Sequence, residues 1–216
     1  TILSIALSLT PFSDNTAQAI AFAAITSSAS HDVLCAFWMA LYMGAKGRIK
    51  ETLSALRTRN GKIVLLGALL GGPIGMTGYV IAINNIGPAY TAIISAFYPA
   101  FGTLLAALLL KERLTFLRII SLGIALLAIV GMSLNALDMS GGTGNPEIGV
   151  LCALLCVVGW GSEAVLCAWG MRDAAVDNEV ALQIRETTSG AVYALIVLPA
   201  FGAYSFLATA IPTFAN

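Results

Sequence analysis

Six times along this chain an apolar stretch long enough to cross a bilayer is followed by a loop, and the loops alternate in charge. The stretches run roughly over 18–44, 63–83, 89–110, 115–134, 147–171 and 180–206. A helix needs roughly 20 predominantly apolar residues to span a hydrocarbon core, so each is a candidate transmembrane helix. Ahead of them, TILSIALSLT is too short to span and lacks a basic flank or a cleavage site. It reads as the end of a truncated helix rather than a signal peptide, which makes the sequence a fragment with about seven helices.

Charge placement gives these spans a direction. Lys46, Arg48, Lys50, Arg57, Arg59 and Lys62 follow the first of them, Lys111, Arg113 and Arg118 surround the turn after 89–110, and Arg172 follows 147–171. The intervening segments 10–17, 84–88, 135–146 and 207–216 contain no Lys or Arg. Ten of the eleven basic residues therefore fall on one side, which the positive-inside rule assigns to the cytoplasm of a multi-pass protein in a plasma or inner membrane. The eleventh, Arg185, lies within the last span. Charged residues make up only 10% of the chain, against about 25% in soluble domains, so the lipid bilayer is the expected surroundings. A net charge of zero offers no attraction to nucleic acid.

Local chemistry supports a packed bundle. Asn145-Pro146-Glu147 offers a cap, a proline at the first helical position and an acid at the positive helix end. Gly87-Pro88 does the same before 89–110, and Thr115 can cap the following span. Gly67, Gly71 and Gly75 recur every four residues, a ridge that lets another backbone approach. Ala92, Ala96 and Ala100 make a comparable small face, and Gly123 and Gly131 continue the theme. Kinks are expected at Pro73 and Pro99, whose freed carbonyls must find partners or line a cavity. Ile49, Leu53 and Leu56 give the 46–62 loop an amphipathic stretch that lies on the headgroups or binds a partner, the first being favoured. Cys35, Cys152, Cys156 and Cys167 sit in apolar blocks; packing is favoured over a soft-metal site at Cys152 and Cys156, and no pattern calls for a cofactor.

The run from Asn84 to Met132, NNIGPAYTAIISAFYPAFGTLLAALLLKERLTFLRIISLGIALLAIVGM, resembles the EamA-type repeat of the drug/metabolite transporter superfamily. The likeness rests on the mid-span Pro99, the Glu112 of the LLKERLT turn and the glycine-bearing closing helix. It implies an all-α membrane bundle of ten helices in two inverted five-helix repeats, of which about seven are present. Residues 1–134 would be the first repeat, 135–146 an outside linker, and 147–216 the start of the second. The Trp-Gly pair in GVLCALLCVVGWGSEAVLCAWGM fits that opening helix. The resemblance also implies transport, with export of amino acids or related metabolites.

Ionisable groups inside spans are costly unless they face a cavity or a partner. Glu163 lies about eight residues from the basic end of its span, and Arg185 and Glu186 about five or six from theirs, so at about 1.5 Å per residue the depths differ by one turn. A Glu163–Arg185 contact is expected, either as a gated substrate or proton site or as a static pair locking two helices. His31 and Asp32 could relay a coupling proton or hydrogen-bond between helices, although neighbours on a helix point about 100° apart. Tyr79 and Tyr90 lie near span ends, where an interfacial belt is favoured, while Trp160 is deeper, one turn from Glu163, and is expected to line a cavity. A single histidine, no metal-ligand helix motif and no Gly-x-Ser-x-Gly turn weigh against a membrane enzyme. A structural subunit would carry larger loops. Transport of a small-molecule solute is the favoured reading; oligomeric state does not follow from these residues.

Overall fold

A computed structural model of the chain describes residues 17–111, 113–134 and 144–213. The TILSIALSLT segment, Glu112 and most of the 135–146 linker lie outside the described residues. Within them every regular element is a helix: α1 Ala17–Ala45, α2 Ile49–Ala55, α3 Arg59–Ile86, α4 Pro88–Leu109, α5 Phe116–Leu134, α6 Pro146–Gly170, α7 over 178–200 and α8 Tyr204–Thr213. By length and apolar composition α3, α4 and α6 can each cross a membrane, and Phe116–Ala128 is a shorter apolar helix. Leu104, Leu108, Phe116, Leu117, Leu127, Leu151 and Leu195 stand exposed, as suits an all-α bundle whose solvent is lipid.

The helix ends follow from the sequence. Asn145 caps α6 through its side-chain oxygen, which accepts from the backbone of Glu147 at 2.9 Å, with Pro146 next. Its own N–H donates to Asn85 Oδ1 at 2.8 Å and ties α6 to the end of α3. Gly87 turns α3 into α4 at φ 83°, ψ 163°, a region open essentially to glycine. Two departures from the sequence reading concern boundaries. First, α3 begins at Arg59 rather than 63, because Thr58 caps it by accepting from Gly61 N at 3.0 Å. Second, the expected 180–206 span stops at Ala200: Phe201–Ala203 form a turn around Gly202, at φ +66°, and α8 then occupies much of the expected outer loop.

Both prolines sit where regular helix fails. Pro73 lies inside a π-helical stretch, Leu70–Met76, that absorbs the missing N–H within α3. The α4 helix is interrupted at Ala96–Phe97 and restarts at Tyr98, with Pro99 in its first turn. A second π-helical stretch, Tyr193–Val197, precedes Pro199 in α7.

Helix α6 forms the centre, packed against α3 and α4, while α7 packs on α1 and α3. The glycine ridge makes the first contact possible. A Cβ at Gly71 would overlap the Glu163 side chain, one at Gly75 would lie 3.0 Å from the Trp160 ring, and one at Gly78 2.8 Å from the Cys152 carbonyl. The small face expected at Ala92, Ala96 and Ala100 is only half-buried; α4 comes closest at Gly102, opposite Gly161. A Cβ added at Gly123 or at Gly131 would meet no described atom within 4 Å, so neither position demands glycine for close packing.

Two apolar clusters occupy opposite ends of the bundle. Met43, Val64, Val180, Ala181 and Ile184 fill the end that carries the basic loops. Ile25, Ala29, Val80, Tyr193 and Leu198 fill the other. Polar residues of α1, α6 and α7 form a layer between them, which α3 meets with Gly71 and Gly72.

Candidate functional site

The layer is assembled by helix spacing. Arg185 and Ser189 lie one turn apart on α7, and Trp160 and Glu163 one turn apart on α6. Arg185 Nε donates to Glu163 Oε1 at 2.7 Å, and its Nη1 donates to Glu186. Only 14% of the Glu163 side chain and 7% of the Glu186 side chain are exposed. On the far side of the layer, Asp32 accepts from Ser189 of α7 and stands 2.9 Å from His31 Nδ1. His31 itself is exposed and Asp32 largely enclosed. The two share a contact although their side chains leave α1 in different directions.

Space for Glu163 and Ser189 comes from α3. Side chains at Gly71 and Gly72 would overlap the Glu163 carboxylate and the Ser189 hydroxyl, so only glycine leaves room for both. The π-helical stretch also frees carbonyls, and the buried Tyr193 hydroxyl lies 3.5 Å from that of Gly72.

Glu163 and Arg185 border a cleft of about 490 Å³ with Met76, Tyr98, Trp160, Ala164 and Cys167. Trp160 is its aromatic wall. The Tyr98 ring meets it edge-on at 5.7 Å, and the Tyr79 ring lies 5.2 Å away at 34°. Tyr79 therefore turns inward, against the belt expected for it, while Tyr90 is 47% exposed. A larger groove of about 720 Å³ between α4, α5 and α6 is lined mostly by apolar residues, with Tyr98, Thr103, Arg118 and Ser121 its polar members. The Glu163–Arg185 ion pair borders the smaller cleft. Among the described residues no group of three or more His, Cys, Asp or Glu side chains could hold a metal ion.

At the basic end a second ionic group joins α1 and α2 to α7. Glu179 accepts from Lys46 Nζ at 2.7 Å, from the Tyr42 hydroxyl at 2.7 Å and from Arg48. Arg48 also reaches Asp177 at 3.0 Å and Glu51 at 2.8 Å. The Arg48 guanidinium holds the Asp177 carboxyl below its usual range, and the Lys46 ammonium does the same for Glu179. Because folding lowers both values, the clamp is fully formed above the ordinary carboxylate range of about pH 4 and is lost as pH falls through the depressed values. Spin labels at Lys50 and Asn178 are expected to hold one distance at neutral pH and to separate under acid. Arg48→Ala should separate them at neutral pH, and a distance unchanged by both treatments would contradict the clamp.

Sequence reasoning named Glu163, Arg185, Glu186, Trp160, His31 and Asp32, and the structure brings all six into or beside the polar layer. It missed Ser189, which the i+4 spacing from Arg185 could have flagged, and Tyr98, which directly precedes the kink proline Pro99. The Arg48–Glu179 clamp had no local signal, since its members are more than a hundred residues apart.

Two comparisons bear on this arrangement. The sequence profile of the EamA-like transporter family matches residues 3–134. Protein LicB of Haemophilus influenzae is similar, at 32% identity over 133 residues, covering 62% of this chain and 44% of that protein. The chain thus spans less than half the length of that relative.

Proposed function

The chain belongs to the EamA-like transporter family, and from that premise we propose that it moves a small organic solute, an amino acid or related metabolite, across a membrane by alternating access. The observation that carries the reading is the Glu163–Arg185 pair at the edge of a cleft walled by Trp160 and Tyr98. An opposite-charge pair beside aromatic rings complements a zwitterion. The guanidinium suits a carboxylate, the glutamate an ammonium group, and the rings an apolar side chain. The family's inverted design supports a layout with residues 1–134 as the first repeat, 135–146 as a linker and 147–216 opening the second. Charge alternation supports a multi-pass arrangement with the clamp on the cytoplasmic side.

Efflux of labelled amino acids from proteoliposomes containing the full-length protein tests this. Glu163→Gln is expected to abolish the flux while the protein still inserts and purifies normally. Undiminished flux in that variant would leave Glu163–Arg185 as a static lock between α6 and α7. Hydrolysis assays on the same vesicles address the competing reading of a membrane enzyme.

A further inference from the structure

The groove of about 720 Å³ between α4, α5 and α6 is shaped by the way α5 is held. Helix α5 meets α4 through Pro88–Ser95, at the end away from the basic loops, and the two splay apart toward the basic turn. Gly102 and Ala106 of α4, with Ala164 and Ala168 of α6, give the groove a floor of small residues. Its lining on α5 comes from the first two turns, and its lining on α4 from the half that ends at the basic turn. At about 1.5 Å per residue the stretch from Tyr98 to Leu110 is roughly 18 Å long, close to one leaflet of a hydrocarbon core about 30 Å thick.

The mouth of the groove is basic. Lys111, Arg113 and Arg118 are all exposed, and Arg118 lines the groove itself. The same stretch of sequence holds one acid, Glu112, which leaves two positive charges in excess. Arg118 is the third residue of α5, where a long side chain can cover apolar wall with its stem and present its charge at the membrane surface. Basic pockets between membrane helices on the cytoplasmic side hold anionic lipid headgroups, and charge placement assigns this end to that side. We propose that the groove binds an anionic phospholipid of the cytoplasmic leaflet, with its phosphate at the Lys111–Arg118 turn and an acyl chain reaching Tyr98. A slot with a small apolar floor and a cationic mouth complements an amphiphile. A soluble anion would leave the slot empty, and a neutral lipid would make no use of the charge.

This site does not rest on the transport reading, but it adjoins the same machinery. Tyr98 and Ala164 line both the groove and the cleft of Glu163 and Arg185. The Tyr98 ring meets Trp160 edge-on at 5.7 Å, so a chain seated against Tyr98 backs the aromatic wall. The groove offers a polar solute little along its length. Its Thr103 hydroxyl already donates to the Pro99 carbonyl at 2.7 Å, and its one charged member, Arg118, stands at the mouth.

Native mass spectrometry of the purified full-length protein, titrated with phosphatidylglycerol or with phosphatidylcholine of the same chains, reads this site without any solute. The wild type is expected to hold phosphatidylglycerol about thirtyfold more tightly, the effect of two net positive charges at a membrane surface. Replacing Lys111, Arg113 and Arg118 together by glutamine should abolish that preference. Ser121→Phe fills the groove and leaves every charge in place. It should weaken phosphatidylglycerol binding about tenfold, the effect of excluding two methylenes, at an unchanged melting temperature. Ala106→Phe fills the slot from the opposite wall and decides the matter if Ser121→Phe melts early. Equal binding of the two lipids by the wild type would overturn the proposal, and is the result expected if the rest of a longer chain or a second copy covers the groove. Full phosphatidylglycerol affinity in both phenylalanine variants would place the lipid on the surface charges alone and overturn it equally. Lipid binding without amino-acid flux would sink the transport reading and leave the lipid site standing, and flux without lipid binding would do the reverse.

Discussion

Arg185→Met is expected to lower the melting temperature of the detergent-purified protein by about 10 °C, the shift that a loss of roughly 3 kcal/mol produces in a chain of this size. Removing one partner of a buried ion pair typically costs about 3–5 kcal/mol, and the lower figure applies because 34% of the Arg185 side chain is exposed. Methionine fills much the same volume, so the loss is that of charge compensation rather than of packing. The cost falls on Glu163 and Glu186, whose side chains would stand 14% and 7% exposed without the guanidinium that donates to both. Adding Glu163→Gln or Glu186→Gln to Arg185→Met should each restore part of the lost stability, because each removes one of the acids left without the guanidinium. No change in melting for Arg185→Met alone would mean that water, not the pair, balances these charges. The flux experiment separates the two uses of the residue, since the double variant carrying Glu163→Gln should regain stability and remain inert.

The elements of the fold were legible because lipid imposes one rule: backbone polar groups must be satisfied within a helix, so apolar length reports the span. The α6 helix, from Asn145 to Gly170, was readable to within a residue or two since cap, proline and acid stand in order. The end of α7 was not, because a glycine turn inside an apolar run leaves no hydropathy signal, and Gly202 lies in such a run. In the candidate site, depth arithmetic was enough to pair Glu163 with Arg185, since α6 ends and α7 begins on the same side. Asp32 with Ser189, and Glu179 with Lys46 and Arg48, depend on which face α1 turns toward α7. That rotation is set by Gly190, where an added Cβ would lie 3.0 Å from the Asp32 carbonyl, and one glycine among many does not announce it. Tyr79 was misjudged for a related reason: position near a helix end suggested the interface, whereas Gly75 one turn earlier lets Trp160 come within reach of it.

Gly159→Ala should strongly disrupt the crossing of α6 with α3. Its Cβ would lie 2.5 Å from the Leu70 carbonyl oxygen and 2.8 Å from the Gly75 Cα, and both are backbone atoms. A flexible side chain could move aside, but here α6 must retreat from α3, and overpacking of that kind costs about 1–3 kcal/mol even where neighbours can relax. The retreat also carries the chemistry away, because Trp160 and Glu163 follow directly on the same helix. A shift of about 1 Å can cost about 100-fold in a process that depends on placed groups, so flux should fall further than stability alone would explain. Gly123→Ala on α5 is the matched control: nothing lies within 4 Å of its Cβ, and alanine favours helix over glycine by about 1 kcal/mol. Melting temperatures and flux measured on the two variants should therefore diverge, with Gly159→Ala losing both and Gly123→Ala neither. Equal behaviour would mean that α3 and α6 do not meet backbone to backbone at this crossing. The polar layer would then have lost the contact that sets the distance between the Trp160 wall and the glycines of α3.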